Sequence, residues 1–253
     1  AGGAGGGRLR ARWRRSRVVV VPLALVVALG LLLALTAPRT TRDDLAPTSV
    51  APGGSRALAQ VLRAEGVEVQ EVRTFAAAGR AVRERGAATT TLLVTGPDLL
   101  DPDRLREVGR LVAGGTDLVL LAPDAVVLDA LQLPLRVAGV DPADVREPRC
   151  DAPDPAAAGP ALAGGSLYAP AVETGATATV CYGGSYARAA AGAGTAGTVT
   201  VLGQEALLTN DRVDEDGNAA LALRTLGAQP RLVWYLPSPT DVAGGGTVPV
   251  TSL

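Results

Sequence analysis

The sequence contains no His, no Lys and no Met, and only two Cys, one Phe, two Trp and four Tyr among 253 residues. Each absence closes off a chemistry. Without His there is no Ser-His-Asp triad, no Cys-His dyad and no His-ligated zinc site. Two Cys are too few for a four-thiolate metal site. Without Lys, neither a P-loop lysine nor Schiff-base catalysis is available. The missing Met implies that the sequence does not begin at a natural start. All 24 basic residues are Arg, and with 31 Gly and abundant Ala this is the composition that GC-rich bacterial coding produces.

The net charge of −1 conceals an asymmetry. Arg8, Arg10, Arg12, Arg14, Arg15 and Arg17 fall in the first 17 residues with no acid among them, so the remainder holds 18 Arg against 25 acids. An acidic remainder does not suit a nucleic-acid partner, whose binding face is basic.

Val18 to Ala37 (VVVVPLALVVALGLLLALTA) is twenty residues without a charge. As a helix rising 1.5 Å per residue it would span about 30 Å, the thickness of the hydrocarbon core of a bilayer. Pro22 falls in the first turns, where a missing N–H matters least. The Arg cluster before the run places the N-terminus in the cytoplasm and the rest outside, by the positive-inside rule. The competing reading is a cleaved signal peptide, whose apolar region would be shorter, about 7–15 residues, and followed by a small-residue cleavage site. Ala34-Leu35-Thr36-Ala37 is a poor version of such a site. The expected organisation is an Arg-rich cytoplasmic tail (1–17), a transmembrane helix (18–37), a linker (38–53), an extracytoplasmic α/β domain (54–237) and a linker or truncated end (238–253). The lipid bilayer is the first partner, and the location is a bacterial plasma membrane.

Within the domain two periodicities alternate. Helices are predicted over 54–65, 76–85, 101–113, 124–131 and 218–226, each with apolar residues at helical spacing or a Gly just after it. Pro102 after Asp101 is a helix start. Strands are predicted over 67–72, 90–94, 117–121, 199–202 and 232–236. Strands alternating with helices imply a mostly parallel sheet covered on both faces. From about 134 to 195 the pattern weakens, and this stretch reads as an insertion with short strands around Leu167-Tyr168 and Ala178 to Tyr182. Cys150 and Cys181 both fall there. Outside the membrane they are most simply a disulfide, contributing roughly 3–4 kcal/mol by closing a loop of about 30 residues.

The densest polar cluster runs from Thr209 to Asn218. Its acids could hold Ca²⁺ through oxygen, but the EF-hand pattern fails: with Gly217 in sixth place, the first and twelfth ligands would be Arg212 and Leu223. The plainer reading is a cap, Asn218 or Asp216, on the helix that follows. Asp98 follows a strand, at the carboxyl end of the sheet where ligands of open α/β folds sit. Asp98, Asp101 and Asp103 could serve as paired carboxylates for glycoside cleavage, but Asp101 is more simply a cap and no aromatic platform lies nearby. Trp234 and Tyr235 read as core and sheet edge. No catalytic, metal or cofactor residues are expected. The binding candidates are Asn210, Asp211, Gly217, Asn218 and Asp98.

Several of these features occur together in one family. They are the Arg-rich N-terminus and helix, Gly54-Ser55-Arg56-Ala57-Leu58 with Leu62, Gly114-Gly115 leading into Leu118-Val119-Leu120, and Cys150 with Cys181-Tyr182. The most specific are Thr209-Asn210-Asp211 through Gly217-Asn218-Ala219-Ala220-Leu221, then Val233-Trp234-Tyr235-Leu236-Pro237. As a set they resemble an actinobacterial membrane-protein family, domain of unknown function 4350. The Asn210 to Leu221 stretch is also similar to extracytoplasmic domains of gliding-type ABC-transporter accessory proteins, which have a fold like class I glutamine amidotransferases. The resemblance implies a flavodoxin-like or amidotransferase-like sheet outside the membrane and a second membrane helix near the C-terminus. It also implies association with a MoxR-type AAA ATPase and von Willebrand-factor-A-type proteins. This sequence stops at Leu253 before a second helix, and it lacks the amidotransferase triad, so that activity is not carried over. The expectation is a non-enzymatic, membrane-anchored binding or scaffolding module of the cell envelope. The alternatives are a carboxylate-dependent envelope hydrolase and a small-molecule sensor.

Overall fold

A computed structural model describes residues 44–171, 178–190 and 196–238. The chain divides into a unit before Asp43 and a body after Arg42, and the described residues belong to the body. The apolar run 18–37, the Arg-rich tail and residues 239–253 lie outside them. Among the described residues no helix is long and apolar enough to cross a membrane.

The elements follow one another as α1 (Arg56–Ala64), β1 (Glu68–Val72), α2 (Phe75–Arg85), β2 (Thr90–Val94), α3 (Pro102–Ala113), β3 (Asp117–Leu121) and α4 (Ala125–Ala130). Then come β4 (Leu135–Arg146), α5 (Pro153–Ala158), β5 (Ala161–Pro170), β6 (Ala178–Cys181) and β7 (Tyr186–Ala190). The chain closes with β8 (Thr198–Leu202), α6 (Asn218–Leu226) and β9 (Arg231–Tyr235). The fold is mixed α/β with a mostly parallel sheet. Its seven strands run in the order β1-β9-β2-β3-β8-β7-β6. The first five are parallel, and β7 and β6 add an antiparallel pair at one side.

Local chemistry sets the helix starts. Asp101 accepts from the N–H groups of Asp103 and Arg104, with Pro102 in the first turn. Asp124 accepts from Val127 N–H and Thr74 from Ala77 N–H. Each cap satisfies amides that the first helical turn leaves open. Gly115, in the left-handed region at φ +104°, lets the chain turn from α3 into β3.

Strand alternation distributes the core onto two faces. Leu92, Val94, Leu118, Leu120, Val199, Val201, Val233 and Tyr235 pack under α2, α3 and α4. Leu93, Val119, Leu121, Leu202, Leu232 and Trp234 pack under α1 and α6 on the other face. Burial on both sides is why these strands read as near-continuous apolar runs. Trp234 and Tyr235 are both fully buried, and β9 lies between β1 and β2 rather than at an edge.

The stretch read as one weak insertion is two structures. β4 and β5 form a long antiparallel ribbon outside the main sheet, whereas β6 and β7 extend that sheet. The strands of the ribbon are much longer than the short segment expected around Leu167-Tyr168. Pattern failed in β4 for a physical reason. Most of the strand is exposed, and register shifts between Val137 and Gly139 and between Asp141 and Asp144 break its alternation. The Cys150–Cys181 disulfide is formed, with 5.4 Å between the Cα atoms, and it ties the segment after β4 to the end of β6.

Candidate functional site

In a parallel sheet the strand ends and helix starts converge at the carboxyl edge, where ligands of open α/β folds sit. At the end of β3 the chain turns sharply into α4 through Ala122, a non-glycine residue in the left-handed region at φ +44°. Such a conformation costs on the order of 1–3 kcal/mol and recurs at functional turns. Its N–H donates to Leu202 O at 2.8 Å, which fixes the elbow against the end of β8. A strained strand-to-helix elbow is where α/β hydrolases hold a nucleophile. Here the side chain is a methyl group.

The ribbon packs on this part of the edge. Tyr168 of β5, fully buried, donates its hydroxyl to Pro123 O at 2.9 Å, one residue past the elbow. Burial, before any neighbouring group, pushes its pKa well above the ordinary phenol value, and Asp124 adds to the rise while Ser166 opposes it. Beside it Ser166 N–H donates to Gly203 O at 3.0 Å, in the loop after β8. A Cβ on Gly203 would stand 1.8 Å from Ser166 O, and one on Gly165 would stand 2.0 Å from Gly203 O. Two backbones therefore meet with no room for a side chain between them.

On the other part of the edge the charges of Asp44 and Asp98 act on Glu205. Asp98 lies in the turn after β2, Glu205 in the turn after β8, and Asp44 where the described body begins. Glu205 is exposed as a residue, yet its pKa is raised, chiefly by lost solvent around the carboxyl and then by the charges of Asp44 and Asp98. Among the described residues no group of three His, Cys, Asp or Glu is arranged to hold a metal ion. Asp101 is committed to capping α3 and to an ion pair with Arg104 at 3.2 Å.

The other predicted site residues form a stitch. Asn210 donates to Ser49 O at 2.9 Å and Ala51 O at 2.7 Å, and its Oδ1 accepts from Ala57 N–H at 2.9 Å. Its own N–H donates to Gly54 O at 2.7 Å, and Asp211 N–H donates to Pro52 O at 3.2 Å. Asn210 thus serves an open amide of the first turn of α1, where Ser55 makes no side-chain cap. The described part of the expected linker, from Asp44 onward, is consequently built into the body, with Leu45 and Ala46 buried. The carboxylate of Asp211 accepts from the Thr209 hydroxyl at 2.6 Å.

The capping reading of Asn218 and Asp216 is corrected. Gly217 occupies the cap position of α6, and no side chain caps it. Asn218 is fully buried; its Oδ1 accepts from Leu162 N–H at 2.7 Å and its Nδ2 donates to Arg212 O at 2.8 Å. A Cβ on Gly217 would lie 2.3 Å from Ala158 O, so only glycine allows this approach. Asn210 and Asn218 therefore join distant chain segments, while Asp98 stands apart at the carboxyl edge. Sequence reasoning missed Ala122, Tyr168 and the Asp44–Asp98–Glu205 grouping. The available signal was a small residue and Pro-Asp directly after an apolar strand. A shallow groove of ≈430 Å³ between α1 and α6, lined by Leu62, Val67, Leu223, Glu65 and Arg224 among others, contains none of the predicted residues.

These features define an open α/β body whose carboxyl edge is partly roofed by its own ribbon. The chain belongs to the family described as Domain of unknown function (DUF4350), whose model matches residues 47–226. It is 35% identical over 231 residues to Uncharacterized membrane protein Rv3691 of Mycobacterium tuberculosis, an alignment covering 91% of this chain. The chain spans 57% of that relative's length. Among solved structures it has a likeness to the exo-β-1,4-mannosidase Op5Man5 of Opitutaceae bacterium strain TAV5, at 19% identity and a TM-score of 0.33. That likeness covers 51% of this chain and 24% of the mannosidase; so low a TM-score bears on neither fold nor activity.

Proposed function

We propose that this protein is a membrane-anchored, non-enzymatic binding or scaffolding module of the bacterial cell envelope, its α/β body outside the membrane. The observation that carries the non-enzymatic part is Ala122. The strained elbow at the carboxyl edge presents a methyl group, and Tyr168 fastens the ribbon beside it. The anchor is supported by the uncharged run Val18 to Ala37 and by a 35% identical relative that is itself called a membrane protein. The orientation rests on the Arg cluster before that run. The formed disulfide suits an oxidising compartment. On the same reading the body is a flavodoxin-like or amidotransferase-like sheet that has kept the elbow and lost the triad. Its partners are membrane proteins working with a MoxR-type ATPase and von Willebrand-factor-A-type proteins.

The test has two arms. In the first, the chain should stay with the membrane through an alkaline carbonate wash and be cleaved by protease added to spheroplasts. Recovery in the wash, or protection from protease, refutes the location. In the second, Asp98→Asn, Asp101→Asn, Asp211→Asn and Asp214→Asn are assayed on envelope glycan and peptide. A turnover activity abolished by any one of them with the fold intact refutes the non-enzymatic reading.

A further inference from the structure

α1 and α6 lie side by side on one face of the sheet. Each leads by a short turn into its strand, β1 or β9, and those strands are parallel neighbours, so the two helices run in the same direction. The groove of ≈430 Å³ between them has an apolar floor of Leu62 and Val67. Gly227 closes on that floor: a Cβ there would stand 3.2 Å from Leu62 and 3.5 Å from Val67. Helical spacing puts Ala57, Val61 and Glu65 in one stripe along the α1 wall. It puts Ala220 and Arg224, with Leu223 beside them, along the α6 wall. Val61 is 44% exposed. Glu65 caps the end of α1 and Arg224 lies in the last turn of α6, so both stand at the same end of the groove. Both are exposed, and neither has an ion pair or hydrogen bond through its side chain among the described residues.

We propose that this groove is the contact face between two copies of the chain, related by a two-fold axis that runs along the groove. A two-fold contact lays one patch on itself, so the patch must supply both members of every pair. This one does. With the axis along the groove, the α1 wall of each copy lies over the α6 wall of the other. Glu65 of one copy then meets Arg224 of the second, and Arg224 meets Glu65, while Val61 comes against Ala220 and Leu223. Ala57, Ala220 and Gly227 are small enough for the walls to come close. An axis across the groove would set Glu65 over Glu65, which repulsion disfavours, or leave every charge without a partner. One acid and one base on facing walls therefore select both the partner and the axis. Each helix has nine residues and is about 13–14 Å long. The face is thus smaller than the roughly 800 Å² per partner of a standard stable interface, and the pairing is weak in dilute solution. It does not depend on the membrane anchor.

Sedimentation equilibrium of the full chain in detergent, carried to about 0.5 mM, should show a monomer–dimer equilibrium. Glu65→Arg and Arg224→Glu each bring like charges together twice, and each should weaken the dimer by about tenfold or more. The double swap, Glu65→Arg with Arg224→Glu, restores the pairing with its polarity reversed. It should return the dissociation constant to within about threefold of the original. A chain that stays monomeric at that concentration overturns the proposal and leaves the envelope-module reading standing. A dimer indifferent to the single reversals overturns the groove as its contact face. So does a double swap that fails to rescue the dimer while its circular dichroism matches that of the original chain.

Discussion

The five parallel strands and the β4–β5 ribbon are held by different means. In the parallel sheet both faces are covered, and Leu93, Val119 and Trp234 on one side are matched by Leu92, Leu118 and Val233 on the other. The ribbon leaves most of β4 in solvent, with Val140 76% exposed. Its other strand, β5, buries Ala161, Leu162, Ala163 and Tyr168, and the ribbon is also fastened at points: the Tyr168 hydroxyl, the glycine contact at Gly165 and Gly203, and the disulfide behind it. Apolar area on both faces stabilises the first region, whereas the second combines one largely buried strand, β5, with a few polar or covalent ties.

The largest effect should come from the sheet. Trp234→Ala removes the largest fully buried side chain and should destabilise the body by about 3–5 kcal/mol. Val140→Ala in the ribbon should change stability by less than about 0.5 kcal/mol. Urea denaturation of both variants checks the contrast, and similar losses would erase it. Next, Cys150→Ser with Cys181→Ser should cost roughly 3–4 kcal/mol on the chain-entropy model. Limited proteolysis should then cut first between 135 and 190, and cuts first in β2 or β3 would show that the tie serves the whole body. Asn218→Ala leaves Leu162 N–H and Arg212 O without their partner. The expected loss is about 1–3 kcal/mol, read by thermal melting; no loss would mean that the bracket is dispensable.

The smallest effect is a pH dependence. The pKa of Glu205 is raised in the folded state. Its share of stability is therefore fully present below the ordinary glutamate value and is lost as pH rises through the raised one. Glu205→Gln should flatten that decline and leave the body slightly more stable at neutral pH. A steeper decline in the variant would reverse the assignment. Tyr182 is pushed up to about 12 by burial, then by Tyr186 and Glu147, so it titrates outside this window.

The sequence was legible where burial imposes a pattern. The strands Thr90–Val94 and Asp117–Leu121 and the helix Asn218–Leu226 fall where periodicity puts them. Asp101 caps α3 as its Asp-Pro pair suggests. β4 was hidden because solvent lies against most of it, so no alternation is required of LRVAGVDPADVR. β5 was hidden because Gly164 and Gly165 answer to a backbone elsewhere in the chain. Long-range polar contacts left no local trace either. Asn210 looked like part of a binding surface, and Asn218 like a cap, because their partners lie far off in sequence. For Ala122 the sign was faint, a small residue and Pro-Asp directly after an apolar strand, and a left-handed φ on alanine does not follow from that alone.

The position of β9 sets an order of assembly. Among the described strands the last in sequence slots between the first two, pairing Val69 with Leu232 on one side and Leu92 with Val233 on the other. Until Tyr235 has emerged, β1 and β2 have no direct neighbour to join them, and the early sheet can zip only from β2 toward β3. On the proposed topology, with the N-terminus kept in the cytoplasm and the body crossing from α1 onward, this slot stays open through most of the passage. A nascent chain stopped short of β9 should thus offer two bare strand edges, which is when a chaperone would have something to hold.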